Sequence, residues 1–89
     1  GTMIRKEVAL PGQEALQRRT AAQLVQVASR FDARIMIEHR SKVINAKSML
    51  GLLSLGAAID GKLYLVADGE DEQKAVDAIV QLLDNNFSE

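Results

Sequence analysis

The spacing of apolar residues switches between a period of two and a period near 3.6 along this chain, and that switching restricts the fold more than any other feature. Residues 4–10 carry Ile4, Val8 and Leu10 before Pro11-Gly12, the pattern of a first strand stopped by a turn. Over 20–31, Ala21, Leu24, Val25, Ala28 and Phe31 recur at steps of three and four, with Gln23, Gln26 and Arg30 opposite, which predicts an amphipathic helix. Ile35 and Ile37 alternate with Arg34, Met36 and Glu38, as in a strand with one buried face. His39-Arg40-Ser41 turns the chain into a shorter strand over 42–45, and His39 is expected on the surface there. A short helix over 48–55, begun by Ser48 and closed by Gly56, precedes the Asp60-Gly61 turn. Leu63, Leu65 and Ala67 then alternate with Tyr64 and Val66 in a last strand. Glu70, Asp71 and Glu72 put acid in the first turn of a final helix with the apolar face Ala75, Val76, Ile79, Leu82 and Leu83. Strand, helix, strand, strand, short helix, strand, helix is an α+β order, with helices laid on one face of an antiparallel sheet.

With 89 residues the chain builds one core, leaving little room for a deep catalytic cleft. Gly1 and Thr2 precede Met3, so residues 1–3 read as a cloning remnant and start methionine, and 4–89 as a single domain. The absence of cysteine removes disulfides, thiolate catalysis and the common structural zinc sites, and suits a reducing compartment. No apolar run reaches the length of a membrane span, so the expected location is the cytoplasm. A net charge of −1 offers no field for a phosphate backbone, which argues against nucleic acid as a direct partner. No metal or cofactor is expected.

Three features could carry function. Residues 48–55, Ser-Met-Leu-Gly-Leu-Leu-Ser-Leu, hold five large apolar side chains on about two turns. One stripe of so short a helix can face the core, so either some of Met49, Leu50 and Leu53 face water as a docking patch, or all five are core. Ser48, directly after Lys47, reads as an N-cap whose oxygen accepts a backbone N–H. The same position suits regulation, since a phosphate there would add about −1.5 to −2 charges beside free amide donors. Arg18 and Arg19, just before the first helix, oppose its dipole and are either plain surface charges or a sign that an anion visits.

The segment Asn45-Ala46-Lys47-Ser48-Met49-Leu50-Gly51-Leu52-Leu53-Ser54-Leu55-Gly56 resembles the regulatory-serine segment of Gram-positive members of the HPr family, the phosphocarriers of the bacterial sugar phosphotransferase system. Residues 21–31 resemble the helix after that family's active-site loop, and Gly69-Glu70-Asp71-Glu72-Gln73 the start of its last helix. The resemblance runs from Ile4 to about Leu83 and implies an open-faced β-sandwich, four antiparallel strands beneath three helices. Where the family has histidine, alanine, arginine and proline, this chain has Gln17, Arg18, Arg19 and Thr20. A glutamine amide nitrogen is delocalised and cannot take a phosphoryl group as an imidazole does. Histidine replaced by glutamine, with the serine kept, is similar to the Crh branch of the family, although that branch usually keeps the alanine and proline.

The resemblance implies no enzyme but a signalling adaptor of carbon catabolite repression. HPr kinase/phosphorylase would phosphorylate Ser48, and the product would bind catabolite control protein A as a corepressor. The contact residues would be Arg18, Arg19, Lys47, Met49, Leu50, Gly51 and Leu53. Two other readings stay open: a phosphocarrier using His39 or another residue, and an interaction module that restrains a metabolic enzyme whatever the state of Ser48. A homodimer through the apolar patch or an exchanged edge strand is also left open.

Overall fold

The computed structural model describes residues 2–10, 17–55 and 62–87. The order is β1 (Ile4–Val8), α1 (Arg18–Ala28), β2 (Arg34–His39), β3 (Lys42–Asn45), α2 (Met49–Leu53), β4 (Leu63–Asp68) and α3 (Glu72–Asp84). All seven expected elements are present in the expected order. The four strands form one antiparallel sheet in the order β1-β4-β2-β3, so β4 and β2 are central and β1 and β3 are edges. The Pro11-Gly12 turn, the Gly56 boundary and the Asp60-Gly61 turn lie outside the described residues.

Each element buries the face its pattern assigns. Ile35 and Ile37 on β2, Ile44 on β3, and Leu63, Leu65 and Ala67 on β4 form the sheet side of the core. Against them lie Ala21, Leu24 and Ala28 of α1, Leu52 of α2, and Ala75, Val76, Ile79, Leu82 and Leu83 of α3. Burying side chains such as Leu24, Ile35, Leu52, Leu65 and Ile79 stabilises the fold by roughly 1.5–3 kcal/mol each before entropy is counted.

The differences from expectation are local. α1 starts two residues earlier than the periodicity suggests and ends at Ala28; its buried stripe includes Val27, while Val25 and Phe31 are half-buried. β1 stops at Val8, with only its end residues half-buried, because an edge strand is covered on one side. Val66 is buried although it points away from the helices, since it sits between Arg5 and Met36 in the sheet register. His39 is not on the surface. It is 7% exposed, because it continues the Ile35, Ile37 alternation onto the helix side.

The acids at the start of α3 fasten the fold instead of only balancing a dipole. Asp71 accepts the backbone N–H groups of Asp32 (2.9 Å) and Ala33 (2.8 Å), tying the entrance of β2 to α3. Buried Glu72 accepts the N–H of Gly69 (3.0 Å) and those of Thr2 (3.0 Å) and Met3 (3.3 Å), tying the start of the chain to the β4–α3 turn. These bonds hold both carboxyls below their ordinary values of 3.8 and 4.5, the Asp32 N–H acting most on Asp71 and the Gly69 N–H most on Glu72, while loss of solvent pulls the other way.

An acid-labile fold follows. The unfolded chain takes up protons at these two carboxyls at a higher pH than the folded chain does, so the stability they contribute is complete above about pH 4.5 and is lost as pH falls through their lower folded values. Urea unfolding of Glu72→Gln should show a shallower dependence on pH than wild type below that pH. Parallel curves would remove Glu72 from the account.

Candidate functional site

The site is built on the turn from β3 into α2. Asn45 fixes that turn: its side-chain oxygen accepts the Lys47 N–H (2.9 Å) and its backbone oxygen accepts the Ser48 N–H (3.0 Å). Ala46 between them is fully buried, and its N–H donates to Ile35 O (2.9 Å). The backbone at Ser48 is extended, and its Oγ accepts the Gly51 N–H (3.1 Å), the capping geometry expected from the sequence.

α2 has only five residues and is held by its surroundings, since so short a helix is unstable alone. Leu52 and Leu55 drop into the core. The Lys42 ammonium donates to Ser54 O (3.0 Å), and Ser54 Oγ donates to Gly51 O (2.6 Å), satisfying carbonyls at the end of the helix. Gly51 lets the helix sit down on β3, since a Cβ there would lie 2.8 Å from Ile44 Cγ2.

The apolar side chains of α2 divide between core and solvent. Leu50 is 83% exposed, whereas Met49 and Leu53, one helical turn apart, are half-buried against the core. The patch is therefore Leu50 flanked by the outer edges of Met49 and Leu53. Ser48 and Lys47, half-buried, lie at its start.

Gln17, Arg18 and Arg19 form the second part. Gln17 is the N-cap of α1; its N–H donates to Thr20 Oγ1, and the Thr20 hydroxyl donates back to Gln17 O, both at 3.1 Å. Both arginines are exposed in the first turn, which holds no acid, and among the described residues neither joins a salt bridge.

α1 and α2 pack side by side, but the two parts of the site lie toward opposite ends of α1. The Lys47 ammonium donates to Phe31 O (2.6 Å), just past the C-terminal end of α1, which places the start of α2 there. Arg19 lies about 15 Å away along the helix at 1.5 Å per residue. No hydrogen bond among the described residues joins Gln17, Arg18 or Arg19 to Ser48. The structure thus offers two separate contact points, one toward each end of α1.

Lys47 was legible in the sequence only as a neighbour of Ser48; nothing in its spacing signalled the bond to Phe31. The Glu72 latch carried a weak signal, because Gly69 and Glu72 have the i, i+3 spacing with which acids reach back to a backbone N–H at helix starts. Among the described residues no group of His, Asp and Glu is arranged to hold a metal ion. No described helix is long and apolar enough to cross a membrane.

Residues 4–85 match the family model for the PTS HPr component phosphorylation site. The chain belongs to the HPr family. Among its HPr-family relatives, the HPr-like protein Crh of Halalkalibacterium halodurans is 39% identical over 82 residues, 92% of this chain and 98% of that protein. The phosphocarrier protein HPr of Treponema pallidum is also 39% identical, over 98% of this chain and 99% of its own length. The crystal structure of Bacillus subtilis Crh, described as a swapped-domain dimer, superposes with a TM-score of 0.73 at 34% identity, covering 97% of this chain and 99% of that one. Four antiparallel strands under three helices is the HPr fold, and the Crh relatives make this chain a Crh-like HPr member.

Proposed function

We propose that this chain is a regulatory HPr paralogue in carbon catabolite repression: a cytoplasmic binding switch, not an enzyme and not a histidine phosphocarrier. HPr kinase/phosphorylase modifies Ser48, and the product binds catabolite control protein A as a corepressor. The observation that carries this reading is an N-cap serine, Ser48, opening onto an 83%-exposed Leu50 on a helix otherwise anchored in the core.

In the modification, Ser48 Oγ bonds to the γ-phosphorus of ATP while that phosphorus parts from the bridging oxygen of ADP. ADP leaves, and the hydroxyl proton passes to a base on the kinase. The new group brings about −1.5 to −2 charges to the start of α2, where the Gly51 N–H that now donates to Ser48 Oγ can turn to a phosphate oxygen. An arginine or lysine of the repressor pairs with that phosphate, Met49, Leu50 and Leu53 supply apolar contact around Gly51, and Arg18 and Arg19 reach acidic groups of the repressor at the second point.

Gln17 stands where the family carries its phosphorylated histidine, and His39, the one histidine of the chain, is buried on the helix side of β2. Both support a chain that takes no phosphoryl group from phosphoenolpyruvate. The swapped-domain dimer of the Bacillus subtilis relative supports a homodimeric form of this chain as well, which sedimentation velocity would reveal.

Incubation with the kinase and ATP should place one phosphate on wild type and none on Ser48→Ala. That variant should also lose about 1 kcal/mol of stability through its missing cap, read by urea unfolding. Equal labelling of the two proteins would end the assignment of Ser48. Binding to a partner that ignores phosphorylation would favour a plain interaction module.

A further inference from the structure

The Lys47 ammonium stands at a junction of three helices and a strand. It donates to Phe31 O (2.6 Å) beyond the end of α1, and its charge is felt by Asp71, the N-cap of α3. Asp71 in turn holds the N–H groups of Asp32 and Ala33 at the entrance to β2. The backbone of Lys47 leads straight into Ser48, the cap of α2. A cation placed beside a phosphorylation position is thus spent, in the unmodified protein, on a neutral carbonyl and a neighbouring carboxylate.

We infer that Lys47 is the internal counter-ion of phosphorylated Ser48, its ammonium turning from the Phe31 carbonyl to the phosphate and reporting the modification to the Phe31–Ala33 turn and the start of α3. The inference rests on Ser48 being the modified residue. Three physical points favour the exchange. Neighbouring Cα atoms are about 3.8 Å apart, so a phosphate on residue 48 falls within the sweep of a four-carbon lysine stem. A charge-assisted bond to a phosphate is roughly twice as strong as one between neutral groups, and an ammonium has three N–H donors to redistribute. Three cations named with the site are committed or remote: Lys42 is bound to Ser54 O at the opposite end of α2, and Arg18 and Arg19 lie at the far end of α1.

The exchange has two consequences. Part of the phosphate charge is met inside the molecule, so the partner reads a partly neutralised group. Asp71 loses a favourable neighbour, so the bonds to Asp32 and Ala33 change although no atom there was modified.

The test uses full-length protein carrying phosphoserine at position 48, incorporated during synthesis, so the result does not depend on any kinase. Phosphorus NMR titration should place the second ionisation of the phosphate lower in wild type than in Lys47→Met by about half a unit or more. The Asp32 and Ala33 amide resonances should move on phosphorylation in wild type, stay still in Lys47→Met, and move again in Lys47→Arg, which keeps the charge. Equal ionisation in wild type and Lys47→Met, or wild-type amides that do not respond, would overturn the inference. Should Lys47→Met not fold, the wild-type amides decide alone. Failure of the kinase to label Ser48 would instead count against the proposed function and leave this result standing.

Discussion

Gly69→Ala is expected to lower the stability of the fold by about 3 kcal/mol, which for a domain of this size corresponds to a fall in Tm of roughly 15 °C. Two independent causes add. The Gly69 φ of +156° is a conformation that side chains with a Cβ rarely adopt, and relaxing it moves the turn between β4 and α3. A Cβ there would also lie 2.7 Å from Ala33 Cα and 2.9 Å from Ala33 Cβ; one is backbone and the other is fixed to it, so neither can rotate away. The damage spreads because this turn carries the latches: the Gly69 N–H bonds Glu72, and Ala33 bonds Asp71. Thermal unfolding followed by circular dichroism measures the loss. A shift below about 4 °C, under 1 kcal/mol, would mean that the turn relaxes without cost.

Much of this architecture could be read from periodicity because the chain is consistent across levels: each buried face repeats at the period of its own element. The final helix is the clearest case, with Ala75, Val76, Ile79, Leu82 and Leu83 all inside as spaced. His39 shows how a local reading is overridden. Its neighbours Glu38, Arg40 and Ser41 are polar and suggest a turn, yet the parity set by Ile35 and Ile37 carries it to the helix side of β2. That signal was in the sequence, and composition masked it.

The candidate site was legible in a different way. Ser48 as a cap follows from residue type and position, and the structure places its Oγ on the Gly51 N–H as expected. The sequence narrowed the water-facing residues of 48–55 to Met49, Leu50 and Leu53 but did not single out Leu50, because that depends on where α2 lands on β3, where Gly51 closely approaches Ile44. The separation of the arginines from Ser48 was equally hidden. It follows from the Lys47–Phe31 bond, which sets the start of α2 past the end of α1 opposite the arginines, and no local pattern encodes that.

Leu50 and Leu52, two positions apart on one short helix, are expected to fail in opposite ways. Leu52 has no exposed surface, and Leu52→Ala removes buried methyl groups and leaves a cavity beneath α2, costing about 3 kcal/mol of stability. Leu50 is 83% exposed, so Leu50→Ala should leave stability within about 0.5 kcal/mol of wild type. Its effect belongs to recognition. A large apolar side chain beside a phosphoserine is the anchor a partner would desolvate, and its truncation should weaken binding of the Ser48-phosphorylated protein to the repressor by about 2 kcal/mol, roughly thirtyfold. Urea unfolding and titration calorimetry of the two variants separate the effects. Binding by phosphorylated Leu50→Ala as tight as wild type would show that the exposed leucine is not the contact. A destabilised Leu50→Ala would show that it is part of the core after all. Only the combination of intact folding and lost affinity supports a surface kept apolar for a partner, because one exposed leucine is ordinary on a protein surface and by itself marks no contact.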